Sequence, residues 1–265
     1  MKIFIFKKNT IYFVILSFVL IFSFVLFFSL KTSNTFAIEI DKGSFFNVDI
    51  STNLTDITKS NKKIAYLTFD DGPTTKATGK ILDILKEENV KATFFVVGKH
   101  VKENPDLVKR EYEEGHYIAN HGYNHNNKLL YRDMESFQKE VENTDLEIAN
   151  ALGLSHYCSH IFRFPNGYMS HKYQYEKKNA LQVLSDLDYV YVDWNCLNRD
   201  SEKKYSDSQL LNNLKKTAKN KGTLIILMHD TADVNKTYNV LKSSIDYLKS
   251  EGYEFRNFYD FVNLK

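Results

Sequence analysis

A few short stretches of this 265-residue chain concentrate the side chains able to do chemistry. Thr68–Pro73 reads TFDDGP and sets Asp70 and Asp71 side by side before a Gly-Pro turn. Residues 120–125 read NHGYNH, with His121 and His125 four apart; on a helical turn that spacing puts both imidazoles on one face, suited to chelating one cation. Two imidazoles and one carboxylate leave a coordination position open, which is the arrangement of catalytic rather than structural zinc. Successive strand residues point to opposite faces, so Asp70 and Asp71 cannot both bind one ion from a regular strand. The Gly72-Pro73 turn lets the second carboxylate swing differently, so that one binds metal while the other stays free as a base.

Further along, RFPNGY (163–168) puts an arginine before a tight turn. Arg163 has the planar fork to orient the free carboxylate, and the turn after it can offer a backbone N–H to a developing oxyanion. His229, in LMHDT, is placed as a general acid. Trp194, the only tryptophan, can wall a sugar-sized pocket or pack in the core. Each feature also has an ordinary reading: Asp-Gly is common in turns, and an arginine before Pro-Asn-Gly can simply be solvated. His100, His116, His156, His160 and His171 fit no constellation and are assigned to structure or solvent.

Elements must then position these groups. Strand-like runs fall at 64–69, 92–97, 116–120, 160–164, 189–194, 223–228 and 253–258. Helical spacing falls between them at 76–89, 105–114, 133–152, 173–187, 208–220 and 238–250. Strands alternating with helices imply βα units and a parallel sheet, either open and doubly wound or closed as a barrel. Runs such as LIILM are apolar on both faces, as in strands covered on both sides. Asp70, Asp71, His121, Arg163, Asp193, Trp194 and His229 all follow or end a strand. In parallel α/β folds that rim is where loops meet ligands.

Composition narrows the class. With 43% hydrophobic and 26% charged residues the chain is ordinary for a globular protein, and a formal net charge of +2 gives no reason to expect a nucleic-acid partner. From Ile11 to Leu30 the sequence carries no charge, enough as a helix to span a bilayer core of roughly 30 Å. Lys7 and Lys8 precede it, which puts residues 1–10 in the cytoplasm and everything after Lys31 outside. The run is longer than a signal-peptide core, which favours a retained anchor; Thr35-Phe36-Ala37 offers a small-residue cleavage site, which would give a secreted protein. Residues 31–61, rich in Ser, Thr, Asn and Asp, read as an extracellular linker. Cys158 and Cys196 are equally compatible with a bridge and with free thiols.

In this order, TFDDGP, NHGYNH, RFPNGY, DWN and LMHD resemble the motifs of the NodB-type polysaccharide deacetylases, carbohydrate esterase family four. The resemblance covers residues 62–262. It implies a distorted (β/α)7 barrel, and metal-dependent removal of N-acetyl groups from a cell-wall polysaccharide, peptidoglycan N-acetylglucosamine or N-acetylmuramic acid first. Chitin-like glycan, acetyl-xylan and an inactive glycan-binding wall protein are the alternatives. Asp71, His121 and His125 match the metal ligands, with zinc first and cobalt or nickel as alternates. Asp70 matches the base, Arg163 the arginine that orients it and His229 the acid. Asn166 matches the backbone N–H that helps hold the oxyanion, and Leu227 lines the acetyl pocket. The expected partners are the glycan and the membrane, the expected state a monomer. Gly122 stands where a Ser or Thr is usual, and Asn166-Gly167-Tyr168 departs from the common continuation of its motif. Leu197 falls where the family places an aspartate that tethers the acid histidine; Asp193 is the substitute candidate.

Overall fold

The computed structural model describes residues 53–262. The apolar run at 11–30 and the cleavage site at Ala37 lie outside the described residues. Among those described, no helix is long and apolar enough to cross a membrane.

Eight strands form one sheet: β1 (Ile64–Asp70), β2 (Thr93–Val96), β3 (Tyr117–Asn120), β4 (Ile161–Phe162), β5 (Val190–Tyr191), β6 (Cys196–Leu197), β7 (Leu224–His229) and β8 (Glu254–Arg256). Every ladder is parallel, in the order β5-β4-β3-β2-β1-β7-β6, with β8 added to β1. Strand β1 is the centre. It pairs along nearly its whole length with β7, and on its other edge first with β8 and then with β2.

The parallel α/β architecture expected from the sequence is therefore present, and the chain itself shows how the sheet is rolled. Strands β5 and β6 sit at opposite ends of the hydrogen-bonded order, yet only residues 192–195 separate them. Laid flat, seven strands would hold those ends roughly 29 Å apart. Five residue steps reach at most about 18 Å. The sheet must curl until its ends face each other, as in a distorted barrel, although no β5–β6 ladder closes it among the described residues.

Helices α1 (Thr78–Glu87), α2 (Gly98–Glu103), α3 (Pro105–Glu113), α4 (Asn127–Leu130), α5 (Met134–Leu152), α6 (Gln174–Asp186), α7 (Asp207–Ala218) and α8 (Tyr238–Ser250) connect the strands. Their ends follow local chemistry. Asp133 caps α5 by accepting from the Ser136 N–H, and Gly153 ends it at φ 68°. Ser206 and Gln209 form a capping box on α7. Leu67, Phe69, Phe94, Ile226 and Met228 of the sheet pack with Ile81, Leu85, Leu241 and Ile245 of the helices, all fully buried. Each such side chain contributes about 1.5–3 kcal/mol of burial.

Helices α2 and α4 and strand β6 carry no periodic signal of their own and were not anticipated. The runs at 160–164 and 189–194 pair over only two residues each, leaving Arg163, Asp193 and Trp194 beyond the ladder, free to line the rim. Residues 54–59, inside the stretch read as a linker, form a 3-10 helix with Leu54 buried; the Thr55 hydroxyl accepts from the Asp193 N–H. Cys158 and Cys196 are both free thiols.

Candidate active site

At the C-terminal end of β1 the backbone changes hand. Asp70 still belongs to the strand, but Asp71 has φ 74°, in the left-handed region that aspartate tolerates better than most residues. The carboxylates of these neighbours consequently face the same group. Asp70 Oδ2 lies 3.8 Å from His121 Nε2, and Asp71 Oδ1 lies 3.4 Å from that same atom. The turn is held from several sides: His100 Nδ1 donates to the Asp71 carbonyl at 2.8 Å, and the Asp230 N–H donates to the Asp70 carbonyl at 2.7 Å. Gly72 is obligatory here, because a Cβ on it would stand 2.1 Å from Asp230 Oδ2.

His121 leaves the end of β3, and His125 follows in an irregular loop, not on a helical turn as the spacing suggested. Gly122 at φ 82° and His125 at φ 50° bend that loop, which accounts for a glycine where a side chain was expected. Glu140 of α5 anchors it from beneath, accepting from the N–H groups of Tyr123 at 2.7 Å and Asn124 at 2.8 Å. The two rings end 5.1 Å apart between centroids, with His125 Nε2 3.1 Å from Asp71 Oδ1.

These three residues fit a divalent cation on their own chemistry. One ligand atom from each lies within 4.8 Å of the others. His121 Nδ1 stands 2.8 Å from the Arg163 carbonyl, which can only accept, so Nδ1 carries the proton and Nε2 presents a lone pair to Asp71. Burial and the neighbouring His121 push the His125 imidazole below its ordinary value, keeping it neutral. Asp71 Oδ1 is buried with no hydrogen-bond partner on the protein. Acceptors that converge without a proton between them need a cation to hold them.

Around this cluster stand two braced groups. Arg163, entirely buried, donates through Nη1 to Asp70 Oδ1 and to Thr68 Oγ1, both at 2.7 Å, and its guanidinium lies 3.9 Å over the Phe95 ring. That leaves Asp70 Oδ2 facing the histidines. Across the sheet, Asp70 is in register with His229 at the end of β7. His229 Nδ1 donates to Asp200 Oδ1 at 2.7 Å, and the His229 N–H donates to Asp200 Oδ2 at 2.8 Å. Burial works against the charged imidazole, but the bonded carboxylate outweighs it and raises His229 to about 9.

Asp200 corrects the expectation for Asp193. The tether of His229 comes three residues after Leu197, in the loop that follows β6, where Asn235 and Thr237 hold it: the Asn235 amide donates to its carbonyl at 2.6 Å, and the Thr237 hydroxyl to its carboxylate. Leu197 itself pairs with Leu227 across β6 and β7. Asp193 instead accepts the N–H groups of Tyr168 and Met169 at 2.8 and 3.0 Å, bracing the turn that contains Asn166. Trp194 closes on that turn so tightly that a Cβ on Gly167 would stand 2.8 Å from its ring. Leu227 is buried in β7 opposite Thr68. Of the unassigned histidines, His100 braces Asp71, while His116 Nδ1 accepts from the Ala92 N–H and serves the fold.

Known proteins resemble this chain in sequence and in fold. Residues 58–192 match the polysaccharide deacetylase family. The peptidoglycan-N-acetylglucosamine deacetylase PgdA of Listeria monocytogenes is 35% identical over 198 residues, 74% of this chain and 38% of that protein; the chain thus spans about two fifths of that relative's length. The peptidoglycan-N-acetylglucosamine deacetylase of Bacillus cereus is 34% identical over 207 residues, 75% of this chain and 70% of that protein. Among solved structures, a carbohydrate esterase family four esterase from Streptococcus mutans superposes with a TM-score of 0.68 at 29% identity, covering 77% of this chain and 89% of that one. A parallel sheet with an Asp-His-His cluster at the C-terminal ends of its strands, and relatives of this similarity over three quarters of its length, place the chain in the polysaccharide deacetylase family.

Proposed function

We propose that this protein is a metal-dependent N-deacetylase of a cell-wall polysaccharide, hydrolysing the N-acetyl group of peptidoglycan N-acetylglucosamine or N-acetylmuramic acid and releasing acetate. The observation that carries the reading is the pair of oppositely braced groups around one ligand cluster: Asp70 held by Arg163, and His229 held by Asp200.

Asp71, His121 and His125 would hold a divalent ion, and a carboxylate with two imidazoles suits zinc, with cobalt or nickel compatible. Bound there, the ion supplies Lewis acidity and lowers the pKa of a water at its open position. Asp70 is the base. Its Oδ1 is committed to Arg163, so Oδ2 is the atom that takes the proton of the attacking water. The Asn166 N–H, on a turn fixed by Asp193 and Trp194, stabilises the oxyanion of the tetrahedral intermediate. His229, with Nδ1 bonded to Asp200, delivers its proton from Nε2 to the departing amine. Trp194 and Leu227 border the acetyl and sugar positions. The uncharged run at 11–30 supports an exported domain facing the wall, retained at the cell membrane.

Acetate release from purified peptidoglycan by the full-length chain tests the reading. Activity is expected to vanish with a chelator and return with zinc. Glycan binding that ignores the chelator, with no acetate formed, would instead identify an inactive binding protein.

A further inference from the structure

A buried lysine stands outside the catalytic scheme above. Lys177 lies in the first turn of α6, where the helix dipole disfavours a cation, and it is 1% exposed. Burial pulls its ammonium below the ordinary lysine value, while nearby Asp193 acts in the opposite direction. Both effects of position are unfavourable, yet the group is fully used. Its Nζ donates to the Gly167 carbonyl at 2.5 Å, to Ser170 Oγ at 2.7 Å and to the Ser170 carbonyl at 3.3 Å. On the other side of the same loop, Asp193 accepts from Tyr168 and Met169.

The peptide group joining Gly167 and Tyr168 is thereby gripped at both ends: its oxygen by an ammonium, its N–H by a carboxylate. Immediately before it, Asn166 and Gly167 take consecutive left-handed conformations, φ 67° and 80°, and the Gly167 N–H closes on the Phe164 carbonyl at 2.7 Å. A turn of this kind does not hold its orientation through regular structure. The Asp193 carbonyl also accepts from Arg163 Nη2 at 3.4 Å, so the clamp shares an arginine with Asp70.

We infer that Lys177 and Asp193 are positioning residues that hold the Asn166 N–H in the orientation needed to stabilise the oxyanion, acting on the turn from opposite faces. The inference rests on the deacetylase reading proposed above. Neither side chain is assigned contact with substrate. Their effect falls on the transition state, because a hydrogen bond aimed at an oxyanion gains most when charge develops there.

The test compares wild type, Lys177→Met and Asp193→Asn as full-length chains, on soluble peptidoglycan fragments that carry both N-acetylglucosamine and N-acetylmuramic acid, with zinc content and thermal midpoint measured alongside. Each variant is expected to lose at least tenfold in kcat with KM within twofold and zinc stoichiometry intact. The double variant should lose little more than the worse single one, since both act through one turn. Amide exchange at Tyr168 and Met169 should quicken in both singles, which keeps the inference testable if one variant is poorly stable. Wild-type kcat in either folded variant, or a loss confined to KM or zinc content, overturns it. A wild-type protein that releases no acetate overturns the functional reading itself and this inference with it; an active wild type with unaffected variants overturns this inference alone.

Discussion

His229 Nδ1 and Asp200 Oδ1 stand 2.7 Å apart, and the same carboxylate takes the His229 N–H through its other oxygen. The two hydrogen bonds fix the ring direction, and the carboxylate on Nδ1, acting against burial, raises the imidazole to about 9. A raised value means the folded state holds the proton more tightly than the unfolded chain. This stabilisation is complete below the unfolded value near ~6.5 and is lost as pH rises through about 9. An acid that must be protonated gives an alkaline limb in the rate. Asp200→Asn is expected to move that limb down by at least one pH unit and to cut kcat by about 10²-fold, with zinc content unchanged. A bound dication lowers the limb in both proteins and leaves the difference between them. Matched pH–kcat profiles check the outcome; superimposable limbs would remove Asp200 from the acid's environment.

Asp70, the proposed base, lends itself to a sharper separation of binding from chemistry. Asp70→Asn keeps the size of the side chain and leaves Asp71, His121 and His125 in place, so metal content should remain stoichiometric while kcat drops by about 10²–10⁴-fold. Arg163→Met should do more harm to the fold, since it strands the buried Asp70 carboxylate, at a cost of about 3–5 kcal/mol. Metal analysis and thermal unfolding of the two proteins distinguish the roles. Turnover retained by Asp70→Asn would transfer the base assignment elsewhere.

Of the three residues proposed to hold the ion, His125 is the most exposed, so truncating it leaves the core intact. Zinc at a hundredfold excess over its Kd stabilises a single-site protein by about 2.7 kcal/mol, equivalent to about 5–10 °C for a domain of this size. Wild type should show that upward shift in Tm with added zinc, and His125→Ala should show little of it. Differential scanning calorimetry with and without zinc reads the difference, and equal shifts would place the ion at other residues.

Much of this centre is legible in the chain because rim position is. Asp70, His121, Arg163 and His229 each end or follow a strand whose apolar pattern is plain, and parallel strands send those ends to one face. Asp71 was readable for a subtler reason: an Asp-Asp-Gly-Pro turn can reverse the backbone hand, and the φ of 74° shows that it does. Asp200 was not readable. Its strand, Cys196–Leu197, is two residues long and has no alternation to mark it, so Asp193, on the stronger-looking run, drew the assignment. The helical placement of His121 and His125 failed similarly, because the i, i+4 spacing is shared by a bent loop whose shape is set by Glu140, seventeen residues beyond Tyr123. Residues that act by holding a loop, such as Glu140, Lys177 and His100, leave no local signature; only tertiary contacts reveal them.

Glu111 is a different case, a carboxyl whose cost should be visible in stability alone. It is fully buried in α3 with neither oxygen bonded to the protein, and burial, with the neighbouring acid Asp230 adding to it, pushes its carboxyl well above the ordinary value. Asp230 is raised in the same direction by burial and by Asp71, against the pull of its bond to the Thr78 hydroxyl. A carboxyl with a raised folded value binds its proton more tightly when folded. It therefore favours the fold fully below the unfolded pKa, and that contribution disappears as pH climbs towards the folded one. Glu111→Met removes the group while keeping its volume and leaves no polar atom unpaired. The variant should be more stable than wild type at pH 8 by on the order of 1 kcal/mol, or about 2–4 °C in Tm. The gain should shrink at pH 5, closer to the unfolded carboxyl value, where less of the linkage has been lost. Thermal midpoints at the two pH values settle the point: an equal or larger gain at pH 5 would mean that Glu111 carries no buried charge penalty.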